Sequence, residues 1–182
     1  MADSNATKRA LAAALKELMQ EIPFEKINVA QICEKCGMNR KSFYYHFRDK
    51  YDLVNWIYDT EFFAVAVRQS YRTVWDFLLE LLNYLYANRR FYRKALLISG
   101  QNSFSEHFRE VMLPLIDHRL RQIMTGQEVT EFHINFFADA FVCAIIRWIV
   151  DRNCQRPEVI LGLLRSCVEH MAVTVCSEME TM

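Results

Sequence analysis

An all-α fold is what the sequence predicts, with three short helices at the N-terminal end followed by a larger helical body. Three observations carry this. Only four Gly and three Pro occur in 182 residues, too few for the many turns of a sheet-rich chain. Apolar residues recur three and four positions apart along most of the chain, and no stretch shows the strict alternation of a strand. Helix-capping residues and one turn glycine punctuate the first fifty residues at short intervals. A hydrophobic content of 52%, with 13% aromatic residues, supplies enough apolar mass for a substantial core.

The elements follow in order. Leu11, Leu15, Leu18 and Ile22 form the stripe of a first helix, with Thr7 expected as its cap. Pro23 and Phe24 end it. Asn28 and Gln31 have the spacing of a capping box and open a helix over about 29–36, expected to bury Val29 or Ala30, Ile32 and Cys33. Gly37 stands where a left-handed residue ends a helix. Asn39 caps a third helix from Arg40 to Phe47, with Phe43 and Phe47 on one face. A fourth is expected from Asp49 or Lys50 toward Ser70, using Leu53, Trp56 or Ile57, Tyr58 and Phe62. Apolar spacing then predicts helices over 71–87, 89–99 ending at Gly100, 103–124 with Pro114 as a kink, 130–152, and 157–179 opened by Pro157. The expected division is 1–50 and 51–182, with the boundary inside the fourth helix and no flexible linker.

Charge marks the first part. Formal net charge is zero, but residues 1–50 hold nine basic and six acidic side chains. Residues 35–50 alone hold five basic and one acidic. Distribution matters more than the total for binding a polyanion. Three short helices, a sharp turn at Cys36-Gly37-Met38 and a basic third helix make a helix-turn-helix pattern. Phe43 and Phe47 anchor the third helix from behind. Asn39, Arg40, Lys41, Ser42, Tyr44, Tyr45 and His46 remain for phosphates and base edges of double-stranded DNA.

The run KINVAQICEKCGMNRKSFYYHFRDKYDLV, residues 26–54, resembles the signature of TetR-type transcription regulators in its small-residue helix, glycine turn, Tyr44 and Phe47 three apart, and Lys50 at the head of the next helix. The resemblance is specific over about residues 7–54 and architectural beyond. Together with WIYDTEF at 56–62 and RRFYRKAL at 89–96, the short chain most resembles the subgroup around the dihydroxyacetone kinase regulators. The resemblance implies phosphate contacts from Tyr44, His46 and Lys50, with Lys8 or Thr7 adding one from the first helix. It implies base reading by Arg40, Lys41, Ser42 and Tyr45. Family members often carry Gly or Ala where Lys41 stands, so the operator should differ from that of a typical member.

It also implies a homodimer through segments 130–152 and 157–179, which are apolar on more than one face, and a near-palindromic operator. A small-molecule effector, the expected control of what would be a repressor, is placed in the body among Tyr84, Tyr92, Asn102, His107, His133 and Arg147. Arg147, within so apolar a segment, is expected to need an acidic partner such as Asp139, Asp151 or a ligand. The alternatives are a protein co-regulator acting on the same head as an activator, or a helical binding module or enzyme without a DNA function. No catalytic constellation, phosphate loop or cofactor motif occurs, so no cofactor and no enzyme activity are expected. Cys33 and Cys36 form a CxxC without a second ligand pair, so no metal is expected. No apolar run approaches the roughly 20 residues of a membrane span, and the opening segment lacks the apolar stretch of an export signal. The expected location is the cytoplasm, with the thiols reduced.

Overall fold

The computed structural model describes residues 4–98, 103–124 and 128–179, with side chains through residue 168 in the last helix. No strand occurs among the described residues. Helix α1, Ser4–Glu21, buries Leu11, Ala12, Ala14, Leu15 and Met19. It starts before the expected cap, so Thr7 lies inside the helix. Ser4 and Asn5 are polar residues at home in a first turn, and they extend the helix by a turn. At the other end Pro23 has no N–H to continue the ladder. The chain turns through a short 3-10 segment, Phe24–Lys26, that buries Phe24.

Helix α2, Val29–Lys35, opens on the expected capping box. Asn28 Oδ1 accepts from the Gln31 amide at 3.0 Å, and the Asn28 amide donates to Gln31 Oε1 at 2.9 Å. Gly37 adopts φ +68°. A Cβ there would meet nothing within 4 Å, so the backbone conformation alone selects glycine. Helix α3 is Arg40–His46, and α4 is Lys50–Tyr58. The Asp49 carboxylate caps α4 by accepting from the amides of Tyr51 and Asp52.

The fourth rod does not reach Ser70. It passes through a π-helical turn, Asp59–Phe63, into α5, Ala64–Ala66, and ends there. The π turn fits one extra residue into the coil. It directs Phe62 into the core while Asp59 and Glu61 meet partners on other helices. Thr73 then caps α6, Val74–Ala87, in a box with Asp76. Helices α7 (Arg89–Ala95), α8 (Phe104–Ile123, with Pro114 inside), α9 (Glu131–Val150) and α10 (Pro157–Met179) complete the body. Gly100 lies outside the described residues.

Packing joins the two parts. Helix α8 lies along α9, α10 along α6, α4 against both α1 and α8, and α7 between α1 and α9. One apolar cluster runs from Leu15, Ile32 and Phe43 through Ile57 and Tyr58 to Leu81, Phe108 and Ile145. At its centre the Tyr58 ring is ringed by Phe62, Tyr92, Phe104 and Phe108, with centroids 5.4–6.3 Å away. Helix α9 is long and apolar enough to cross a membrane, which the sequence reading did not anticipate. It buries Ala138, Val142, Ile145 and Ile149 in the protein core, and its Asp139 pairs with Arg109 of α8.

Candidate nucleic-acid interface

Helix α3 is presented by its anchor. Phe43 is fully buried and Phe47 nearly so, and the two rings lie 5.8 Å apart. Phe47 packs edge-on against Trp56 of α4 at 5.7 Å. With that side pinned, helical geometry turns Arg40, Lys41, Tyr44 and Tyr45 outward, and all four are exposed. Tyr45 is 82% exposed. A tyrosine held so far into water gains nothing from burial, which makes it a surface ring poised for a partner. The Arg40 guanidinium stands 6.0 Å from the Tyr44 ring centroid, and Tyr45 meets His46 edge-on at 4.9 Å. His46 and Ser42 are half-buried at the flanks of the face.

Asn39 is committed at its oxygen. Oδ1 accepts from the Ser42 amide at 2.8 Å and from the Ser42 hydroxyl at 3.2 Å. The cap fixes the start of α3 and leaves the Asn39 amide nitrogen for outside contacts. Lys8 of α1 sits beside the same end of the head, its ammonium 5.8 Å from both the Phe47 and Trp56 rings.

Lys50 departs from its expected place. Its ammonium points inward and donates to the carbonyls of Phe24 at 2.7 Å, Ile27 at 2.7 Å and Glu25 at 3.3 Å. It also stands 4.4 Å from the Phe24 ring centroid. Burial lowers its pKa, with the Glu25 carboxylate opposing the shift. The physical reason is the 3-10 turn after Pro23, which leaves carbonyls converging on one point, and a cation three donors strong satisfies them.

The CxxC thiols are both spoken for by backbone. Cys33 Sγ donates to the Asn39 carbonyl and Cys36 Sγ to those of Ile32 and Cys33. Burial raises both thiol pKa values. No cluster of three metal-ligating side chains occurs among the described residues.

Of the six residues expected to line an effector site, the five that are described do not all converge. Tyr84 and Tyr92 do meet, with hydroxyls 2.8 Å apart. The Tyr84 hydroxyl also donates to Glu61 at 3.2 Å, so Tyr92 donates to Tyr84. Burial comes first among the causes that raise both phenol pKa values, as it is for Tyr58. His107 Nε2 lies 2.7 Å from Asp59 Oδ1 on the π turn, near the same hub. His133 instead serves α9 as a cap, its Nδ1 accepting from the Thr130 amide at 3.2 Å. Arg147 is exposed, so water solvates its charge and no buried partner is required. Asp139 is held by Arg109, and the Asp151 carboxylate by the Asn153 amide. Asn102 lies outside the described residues.

Sequence reasoning missed Lys16, Asp59, Glu61, Arg93 and Lys94. Lys16 of α1 pairs with Glu61 of the π turn, linking the head to the Tyr84–Tyr92 pair. A signal was present, since Asp59 and Glu61 interrupt an otherwise apolar rod, and a charge there calls for a partner.

Known proteins share this arrangement. The pattern described as "Bacterial regulatory proteins, tetR family" matches residues 10–57, and that described as "Transcriptional regulator C-terminal region" matches residues 73–170. The HTH-type dhaKLM operon transcriptional activator DhaS of Lactococcus lactis subsp. lactis is 28% identical over 145 residues, 79% of this chain and 74% of the relative. Among solved structures, the dihydroxyacetone kinase operon activator DhaS superposes with a TM-score of 0.66 at 23% identity, covering 92% of this chain and 97% of that one. A TetR transcriptional regulator from Streptococcus agalactiae gives 0.72 at 22% identity, covering 91% and 94%. NalD, the secondary repressor of the MexAB-OprM multidrug efflux pump in Pseudomonas aeruginosa, gives 0.62 at 20% identity, covering 92% and 97%. With an outward basic helix over its Phe43–Phe47 anchor in front, and a body matched over more than half the chain behind, this protein belongs to the TetR family of DNA-binding transcriptional regulators.

Proposed function

We propose that the chain binds a near-palindromic operator as a homodimer, through the outer face of α3. The observation that carries this is the exposure of Arg40, Lys41, Tyr44 and Tyr45 together above a fully buried Phe43. Arg40, Lys41, Ser42 and Tyr45 read base edges. Tyr44 and His46 hold phosphates, Lys8 adds one from α1, and the Asn39 amide nitrogen is available beside them. Lys50 acts through its position, bracing the head against α4. A two-fold dimer sets its reading helices on major grooves about 34–36 Å apart, or a multiple of this. Affinity for such a duplex falls steeply with salt, with a log–log slope of about −0.9 per neutralised phosphate. A titration in which affinity ignores salt overturns the proposal.

The dimer forms through α9 and α10. Phe132 at 74% exposure, Phe136 at 51% and Leu163 at 56% leave an apolar face on these helices that a second subunit covers. An effector bound in the body shifts the population between two head spacings by preferring one of them. The chain works in the cytoplasm as a binding protein rather than an enzyme. Its sign, repressor or activator, follows from where the operator lies relative to the promoter. One observation favours a second reading, control by a protein co-regulator. Tyr58, Tyr92, Phe104 and Phe108 are closed to solvent and tightly interlocked, so a small molecule entering this hub must displace packed rings. A thermal-shift screen of metabolites, set beside binding assays with proteins encoded nearby, separates the two.

A further inference from the structure

Helix α7 carries two adjacent cations that neither reach for DNA nor sit free on the surface. Lys94 donates to the carbonyl of Met19 and, at 3.4 Å, to that of Gln20, at the C-terminal end of α1. Its neighbour Arg93 donates through Nε to the Ile149 carbonyl at 3.1 Å and through Nη2 to that of Asp151, at the C-terminal end of α9. The Met19 and Ile149 carbonyls are open for a reason written in the sequence, while the Asp151 carbonyl also accepts from the Cys154 amide at 3.2 Å. The residue four beyond Met19 is Pro23, which has no N–H to give. The residue four beyond Ile149 is Asn153, whose amide is spent on the Asp151 carboxylate. A cation at a helix C-terminus also meets the negative end of the helix dipole. Lys16 reinforces the first joint, since its ammonium lies 5.8 Å from the Phe91 ring centroid of α7 while pairing with Glu61.

We infer that α7 is a strut that fixes the DNA-reading head to α9, and that Lys94 is a positioning residue setting the distance between the two heads of a dimer. The inference rests on the dimeric operator proposed above. Lys94 holds the last turn of α1, the helix that packs on α2 and α4 in the head. Arg93, beside it in the same turn of α7, holds the last turn of α9, whose outer face joins the subunits in the proposed dimer. A head released from Lys94 keeps its reading surface intact but pivots, so it accepts half-sites at several separations.

The test uses the full chain and the duplex best retained from a random DNA pool by wild-type protein. That duplex is cut to a single half-site, and is also rebuilt with its half-sites moved apart by about two base pairs, roughly 7 Å along the axis. Lys94→Met is expected to bind the single half-site within about twofold of wild type. Its preference for the original spacing should fall about tenfold, within the usual range of inter-site coupling, and Lys94→Arg should restore it. Unchanged spacing preference in Lys94→Met overturns the strut. So does a parallel loss on the single half-site, which marks simple damage to the head. A wild-type chain with no preferred spacing instead overturns the dimeric operator reading, and the strut falls with it.

Discussion

The face of α3 separates two kinds of contact side by side. Lys41 is exposed, so its reach is available to a base edge. Replacing it by glycine is expected to change the preferred bases at particular operator positions, read by repeating the random-pool selection. Tyr44→Phe should instead weaken all sequences alike, as loss of a phosphate contact does. Lys50 obeys a different rule. Its three carbonyl partners make it a structural cation. Lys50→Met is therefore expected to lower stability by about 1–2 kcal/mol in denaturant unfolding, the scale of a charged hydrogen bond discounted for partial exposure. The salt slope of DNA binding should stay where it was. Sequence conveyed the charge and the helix-start position of Lys50. It did not convey direction, because the converging carbonyls come from a turn some 25 residues away, created by Pro23.

Helix ends were legible where a side chain signs them. Asn28 with Gln31, Asn39, and Gly37 at positive φ all stand where local pattern placed them. Asn39→Ala should cost about 1 kcal/mol in stability, as loss of an N-cap does, and should weaken DNA binding because the first turn of α3 frays. Guanidinium unfolding and a fluorescence binding titration measure the two effects. The π turn at Asp59–Phe63 was not legible. Its departure from the 3.6-residue period lasts only one turn, too short to register against the apolar spacing on either side. Its effect is large all the same, since it brings Glu61 to Lys16 and Asp59 to His107. The early start of α1 escaped for the opposite reason: Ser4 and Thr7 are equally good starts by residue type, and the exposed first turn carries no apolar stripe to separate them.

Across the molecule, the apolar faces of the last two helices were visible in the sequence as segments hydrophobic on more than one side. The residues around an effector were not, because polar groups within apolar helices serve several ends that spacing cannot distinguish. His133 caps, Arg147 is solvated, and Tyr84, Tyr92 and His107 gather near one aromatic hub. Charging the proposed dimer face by Phe136→Lys with Leu163→Lys should yield monomers in sedimentation and abolish preference for paired half-sites. The hub itself predicts behaviour at high pH. Burial holds the Tyr58, Tyr84 and Tyr92 phenols above the ordinary value near 10. A raised acid stabilises the fold fully below the unfolded pKa, and that contribution fades as pH climbs through the folded value. Stability should thus decline above about pH 10, and ultraviolet titration should show these three tyrosines ionising late, together with unfolding.

The single apolar cluster that passes from Leu15 and Phe43 through Tyr58 to Ile145 has an evolutionary meaning. A DNA head that shares its core with the body is not a cassette. Grafting residues 1–50 onto another regulator would strand the Met19 carbonyl and the Lys16 ammonium without Lys94 and Glu61. New operator preference is therefore expected to come from point changes on the outside of α3, at positions such as Lys41, rather than from exchanging heads.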